Sequence, residues 1–207
     1  MGMGNPILEE LVLKLRDPGT NMRDFREYLE RIGFLMGYEI SAELEQVEKR
    51  VTTVLKEEAA HMTYKESPIV IGVLRAGLPF ALGISKAYSD SEIGFIAAER
   101  DELTLKPKMG YLGIPEIMGK EVILADTMIA TGGSVLACLD ILESHHPKRI
   151  IVAGVIGSAQ GVRRITSERP DCIIHCAAID AKLNNKGYIL PGLGDAGDRA
   201  YGAKKNG

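Results

Sequence analysis

The stretch Asp126-Thr-Met-Ile-Ala-Thr131-Gly132-Gly133-Ser134 sets a carboxylate, two spaced hydroxyls and a pair of glycines between a strand-like run and a helix-like run. Two glycines let a main chain approach a ligand closely. Amides at a helix start point outward with partial positive charge, which suits a phosphate. The Thr131 and Ser134 hydroxyls can donate to the same anion. No Lys follows the glycines, so this is not the common ATP-binding loop, and the stretch lacks the Gly-x-Gly-x-x-Gly of dinucleotide sites. A carboxylate beside a phosphate is repelled unless hydroxyls lie between them. A sugar diol meets that condition: Asp126 accepts from ribose hydroxyls while the helix start holds a 5′-phosphate. The competing reading is a plain strand-to-helix turn capped by Asp126.

Three further segments carry chemical side chains. In Leu74-Arg75-Ala-Gly77 the guanidinium is a planar, permanently charged donor for phosphate oxygens. Gly77 reads as allowing an unusual turn beside the anion; otherwise Arg75 makes a surface salt bridge. Glu99-Arg100-Asp101-Glu102 opens a stretch rich in Lys, Pro and Gly, from Lys106 to Pro115, that reads as a lid excluding water. Lys106 and Lys108 individually read as solvated. Gly187-Tyr-Ile-Leu-Pro-Gly-Leu-Gly-Asp-Ala-Gly-Asp-Arg199 starts as an extended piece with little side-chain polarity. Its Gly192, Gly194 and Gly197 permit close approach to a ligand. Asp195 is either a ligand group or a turn former, and Asp198 with Arg199 reads as a pair holding the loop. Cys172, His175 and Cys176 invite a metal reading, but structural zinc needs four ligands and no fourth is nearby in sequence. His145 and His146, before Pro147, read as a solvated helix end.

Elements must position these groups. Met22, Phe25, Leu29, Ile32 and Met36 recur at three and four, one face of a helix capped by Thr20 or Asn21. Pro68-Ile-Val-Ile-Gly-Val-Leu74 is a continuous apolar run, as in a strand buried on both faces. Strands are expected at Glu92 to Ala97, Glu121 to Ala125, Arg149 to Gly157 and Cys172 to Ala178, with helices at Leu78 to Tyr88, Thr131 to Ser144 and Gln160 to Glu168. Alternating strands and helices predict a mostly parallel sheet covered on both faces. Ligands of such sheets bind beyond the carboxyl ends of the strands, where all four chemical segments fall.

The 207 residues predict one domain, with 1–50 a helical N-terminal segment and 68–180 the core sheet. Lys and Arg number 25 against 28 Asp and Glu, a net charge of −3 that disfavours nucleic-acid binding. No apolar run reaches the ~18–20 residues that span a bilayer. Met1 to Glu10 lacks the pattern of a signal peptide. An odd set of three cysteines points to reduced thiols and a cytoplasmic location.

In order, Leu74–Gly77, Glu99–Glu102, Asp126–Ser134 and Gly187–Arg199 make the chain resemble the uracil phosphoribosyltransferase family, among the type I phosphoribosyltransferases, over about residues 20–202. The resemblance implies the type I α/β fold: a central, mostly parallel sheet with helices on both faces, a helical N-terminal segment and a base-binding C-terminal hood, with 184–202 the uracil-binding loop. It implies transfer of the phosphoribosyl group of phosphoribosyl diphosphate (PRPP) to uracil, giving UMP and diphosphate in pyrimidine salvage. Arg75 and Arg100 match residues on the PRPP diphosphate. Asp126, Thr127, Met128, Ile129, Ala130, Thr131, Gly132, Gly133 and Ser134 match the ribose and 5′-phosphate loop. Ile189, Gly194, Asp195 and Ala196 match the uracil contacts, with Asp195 also facing PRPP. Arg100, Asp126 and Asp195 are the expected catalytic residues.

Thr127 stands where family members commonly carry Pro and many other type I enzymes a second acid. Magnesium is therefore expected on the diphosphate through substrate oxygens and water, with no protein ligand. Uracil and PRPP are the expected partners, without nucleic acid or membrane. The resemblance also implies a homodimer or homotetramer, and GTP as an effector in parts of the family. Uracil's O2, N3–H and O4 edge suits backbone groups, whereas cytosine would set an amino group against an amide donor, so uracil is expected over cytosine. The rival readings are a regulator that binds PRPP without turnover and a transferase for another base.

Overall fold

The computed structural model describes residues 5–100 and 107–203, the side chains of 98–100 and 107–109 excepted. Helix α1 (Pro6–Arg16) starts on a proline, with the Asn5 side chain accepting from Ile7 N at 3.0 Å. Helix α2 (Met22–Ile40) has Asn21 as its cap and buries Phe25, Leu29, Ile32 and Met36, as their spacing predicts. The expected helical segment to residue 50 ends early. After a short turn at Ser41–Glu43, strands β1 (Gln46–Thr52) and β2 (Glu58–Tyr64) form an antiparallel hairpin. Every residue of β1 is exposed, so no buried face marked it in the sequence.

The sheet begins with β3 (Ile69–Leu74), followed by α3 (Gly77–Ser85), β4 (Ile93–Arg100) and β5 (Pro107–Gly113). Part of the stretch read as a lid is thus an edge strand, antiparallel to β4. Then come β6 (Glu121–Ile129), α4 (Gly133–Glu143), β7 (Arg149–Ser158), α5 (Ala159–Glu168) and β8 (Ile173–Asp180). The chain closes with a small ladder of β9 (Lys182–Leu183) and β10 (Ile189–Leu190), and with α6 (Ala196–Tyr201).

Six strands pair in the order β5-β4-β3-β6-β7-β8, all parallel except β5. Val70, Ile123, Ala125, Ile151 and Ala153 pack under α1, α2 and α3. Ile71, Val122, Leu124 and Val152 point to the other face, under α4 and α5. Both faces are covered, which explains the unbroken apolar run of β3. The expected mostly parallel α/β sheet of the type I enzymes is therefore present. Against the sheet, α2 and α3 touch backbone to backbone: a Cβ on Gly33 would stand 2.9 Å from Ile84 N.

Candidate active site

From β3 the chain proceeds outward to β4, whereas from β6 it proceeds the other way to β7 and β8. The carboxyl ends of β3 and β6 therefore flank the point where strand order reverses, and such a point opens a crevice. Arg75 follows β3 on one side, and Asp126 lies near the end of β6 on the other. Gly77 brings the two together by close approach: a Cβ there would stand 3.0 Å from the Ala125 carbonyl oxygen. Its φ is not left-handed; the unusual backbone of this turn lies instead at the Leu74–Arg75 peptide, which is cis.

Strand β6 runs to Ile129, so Asp126, Thr127, Met128 and Ile129 belong to the strand and the turn is confined to Ala130–Gly132. Met128 and Ile129 are held there by pairing with Ile156 and Gly157 of β7. Asp126 is 9% exposed, and its Oδ1 accepts from Met128 N at 3.3 Å. Burial pushes its carboxyl up to about 6, against the pull of the Met128 and Thr127 amides. Asp126 does not cap the helix. That place is taken by Gly132, whose φ of 78° is costly for other residues.

Helix α5 clamps the turn. Ser158 Oγ donates to the Ala130 carbonyl at 2.5 Å and accepts from Gly161 N at 2.8 Å. A Cβ on Gly161 would overlap that same carbonyl. These two clamping residues carried no signal in the sequence, because their partner lies on a different element. Within the turn, Thr131 Oγ1 stands 3.5 Å from Gly133 N, at the open end of α4.

Arg75 forms an ion pair: its Nη2 lies 2.8 Å from Asp198 Oδ1, and its Nη1 donates to Gly202 O at 3.3 Å. The partner sits on α6, two residues after Ala196 in the chain. The expected pairing of Asp198 with Arg199 is thereby overturned. Adjacent residues on a helix face different ways. Arg199 instead donates to Leu193 O at 2.9 Å, to Asp17 O at 2.6 Å and to Leu15 O, with its guanidinium 4.5 Å from the Phe25 ring centre.

Asp195 caps α6, its Oδ1 accepting from Asp198 N at 2.9 Å. Asp195 therefore shapes the start of α6. A Cβ on Gly197 would lie 3.2 Å from both Asp195 Oδ1 and Arg75 Nη2, so carboxylate and guanidinium converge there. Ile189 and Ala196 are buried, and Gly192 and Gly194 take φ of 60° and 82°. One anchor of this loop is unforeseen. Arg16 pairs with both oxygens of Asp180 at 2.8 Å and donates to Gly192 O at 2.9 Å, while Gly192 N donates to Asp180 Oδ2 at 2.9 Å. Burial would raise the Asp180 carboxyl, but the Arg16 guanidinium and the Gly192 amide outweigh it and hold it below the usual range.

Arg100 ends β4; its side chain lies outside the described residues, as do Asp101 and Lys106 of the expected lid. A polar cavity of about 310 Å³ opens at the opposite end of the sheet, by the amino ends of β3, β6 and β7, between Glu45, Lys65, Glu66, Lys120, Glu121 and Lys148. Its lysines are already paired with Glu45 and Glu66.

The sequence profile of the uracil phosphoribosyltransferase family matches residues 3–203. A uracil phosphoribosyltransferase of Dictyoglomus turgidum is 39% identical over 201 residues, 97% of each chain. One from Clostridium kluyveri is 40% identical over 199 residues, 96% of this chain and 95% of its own. A solved protein of Aquifex aeolicus superposes with a TM-score of 0.91 at 32% identity, covering 98% of this chain and 97% of that one. The Mycobacterium tuberculosis orotate phosphoribosyltransferase, solved with PRPP, shares the fold at a TM-score of 0.53 and 18% identity, over 86% of this chain and 91% of its own. With matches at this identity spanning almost its entire length, the chain belongs to the uracil phosphoribosyltransferase family.

Proposed function

We propose that the crevice between β3 and β6 is where this enzyme transfers the phosphoribosyl group of PRPP to uracil, giving UMP and diphosphate. Family membership supplies the reaction; the residue roles are our reading. The observation that carries them is the buried Asp126 carboxyl, set just before a glycine turn at the start of α4, with Arg75 following the neighbouring strand β3.

Breaking the bond from C1 of the ribose to diphosphate leaves positive charge on the sugar and negative charge on the leaving group. Arg75 and Arg100 bind the departing diphosphate. Asp126 accepts from the ribose hydroxyls, and Thr131, Gly132, Gly133 and Ser134 hold the 5′-phosphate at the helix start. Ile189, Gly194 and Ala196 lend backbone groups to the uracil edge. Asp195, fixed as a cap, faces the ribosyl group. As the C1–N1 bond forms, the N1 proton passes to solvent, and no histidine is required.

Magnesium, when bound, neutralises diphosphate charge. In this reading the ion would be carried by diphosphate oxygens and water, since Thr127 offers no second carboxylate beside Asp126. Among the described residues no helix is long and apolar enough to cross a membrane. The free thiols of Cys138, Cys172 and Cys176 support a cytoplasmic setting. Exposed Val54 and Leu55 on the β1–β2 hairpin, with Tyr38, support a homodimer or homotetramer; sedimentation as a 22.5 kDa species alone would count against it.

The test is diphosphate release on mixing the protein with uracil, PRPP and magnesium, run with a panel of bases and with and without GTP. Release with uracil is the expected result. A flat trace alongside measured PRPP binding would instead mark a regulator.

A further inference from the structure

The turn assigned to the 5′-phosphate has a cationic neighbour that none of the sequence motifs includes. Because Gly161 and Ser158 press α5 onto the turn, Arg164 reaches its open side from less than one helical turn beyond Gly161. Its Nη1 donates to Thr131 O at 3.4 Å. The same atom lies 3.7 Å from the point where a Cβ on Gly133 would stand, and Thr131 Oγ1 lies 3.6 Å from that point. Gly133 is the first residue of α4, where main-chain amides lack helical partners. A hydroxyl, a guanidinium and open amides therefore converge on one spot.

We propose that Arg164 is a further binding residue for the 5′-phosphate, closing on it from the α5 side and making the site selective for ribosyl 5-monophosphates over the corresponding nucleosides. This rests on the reading of the Thr131–Ser134 turn as the phosphate seat. The side chain is 49% exposed and free to adjust, with Nε 2.8 Å from Glu168 Oε1. An exposed pair at this spacing is weak. It engages one edge of a fork with five donors and leaves other N–H groups for phosphate oxygens. Glu168 thus aims the guanidinium more than it competes for it.

The experiment measures UMP and uridine binding by calorimetry, and the KM values for PRPP and uracil, for the parent protein, Arg164→Gln and Arg164→Lys. A charged hydrogen bond to phosphate is worth about tenfold or more in affinity. Arg164→Gln is expected to weaken UMP and raise the PRPP KM by about that factor, leaving uridine affinity, uracil KM and kcat within about twofold. Arg164→Lys should recover part of the loss. Equal weakening of UMP and uridine would show that Arg164 only supports the turn through the Thr131 carbonyl, and would overturn the proposal, as would unchanged UMP binding. A parent protein that bound UMP no better than uridine would overturn the phosphate seat itself.

Discussion

Replacing Asp126 by Asn should make the ligand-free protein more stable while removing most of its activity. Burial pushes the Asp126 carboxyl up to about 6 from an ordinary 3.8. The folded chain thus holds this proton more tightly than the unfolded chain. The advantage is full below about 3.8 and is lost as pH rises through about 6. Two pH units of separation amount to about 3 kcal/mol at full ionisation. Asn escapes that cost and keeps an oxygen for the Met128 amide, but an unpaired buried Nδ2 gives back about 1–3 kcal/mol. The pH dependence removes this fixed loss from the comparison. Between pH 5 and 7.5 the parent should lose about 1.4 kcal/mol relative to Asp126→Asn, or about 3–6 °C of Tm for a chain of this size. Thermal unfolding of both proteins without ligand at the two pH values reads this directly. A Tm gap that fails to widen with pH would refute the desolvation of Asp126. In the diphosphate assay, losing two charged hydrogen bonds to the ribose diol should lower kcat/KM by about 10²-fold; full turnover would refute the diol role.

Three other changes test the surrounding frame. In Gly161→Ala the new Cβ would stand 3.0 Å from Ile129 O and overlap the Ala130 carbonyl, so the urea midpoint should report a loss of about 1–3 kcal/mol and the PRPP KM should rise. An unchanged midpoint would mean that the clamp yields freely. Asp198→Asn breaks an ion pair whose side chains are 35% and 41% exposed, so stability should change by less than about 1 kcal/mol. The PRPP KM should nonetheless rise several-fold as Arg75 loses its anchor, and an unaltered KM would contradict that positioning. Cytosine should fall below uracil by about 10⁴ in kcat/KM, and comparable rates would refute recognition by a fixed backbone edge.

What was legible in the sequence follows from where each signal resides. Strands β3, β6 and β7 announced themselves because both their faces are buried, leaving runs such as Ile69–Val73 with no polar interruption. Their ends did not, since Met128 and Ile129 stay in the sheet through pairing with β7, a partner no local pattern reveals. The hairpin from Gln46 to Tyr64 escaped because it buries almost nothing, and the amphipathic period of α2 was carried on into it. The glycine turn that opens α4 was readable because its glycines and hydroxyls are close neighbours in the chain. The Arg75–Asp198 and Arg16–Asp180 pairs span 123 and 164 residues, and only the fold brings them together. Adjacency misled at Asp198 and Arg199, where consecutive positions on α6 look in different directions.

The unforeseen contacts tie the helical N-terminal segment to the loop and helix at the other end of the chain, where we propose that uracil binds. Helix α6 has six residues, far too short to persist alone in water. Its start is fixed by Asp195 and its flanks by arginines. Arg199 bonds carbonyls of α1 and the α1–α2 connection and stacks on Phe25 of α2. Arg26 of α2 donates to Ala200 O at 2.6 Å, and Arg16 of α1 ties Asp180 to Gly192. Most of these acceptors are backbone carbonyls, so the main chain of the hood is held in place. Such anchoring suits the backbone-edge recognition of uracil proposed above, because a backbone edge discriminates only if it cannot shift to accommodate the wrong base. On that proposal, the helices that look purely structural in the sequence set the rigidity on which base selectivity would rest.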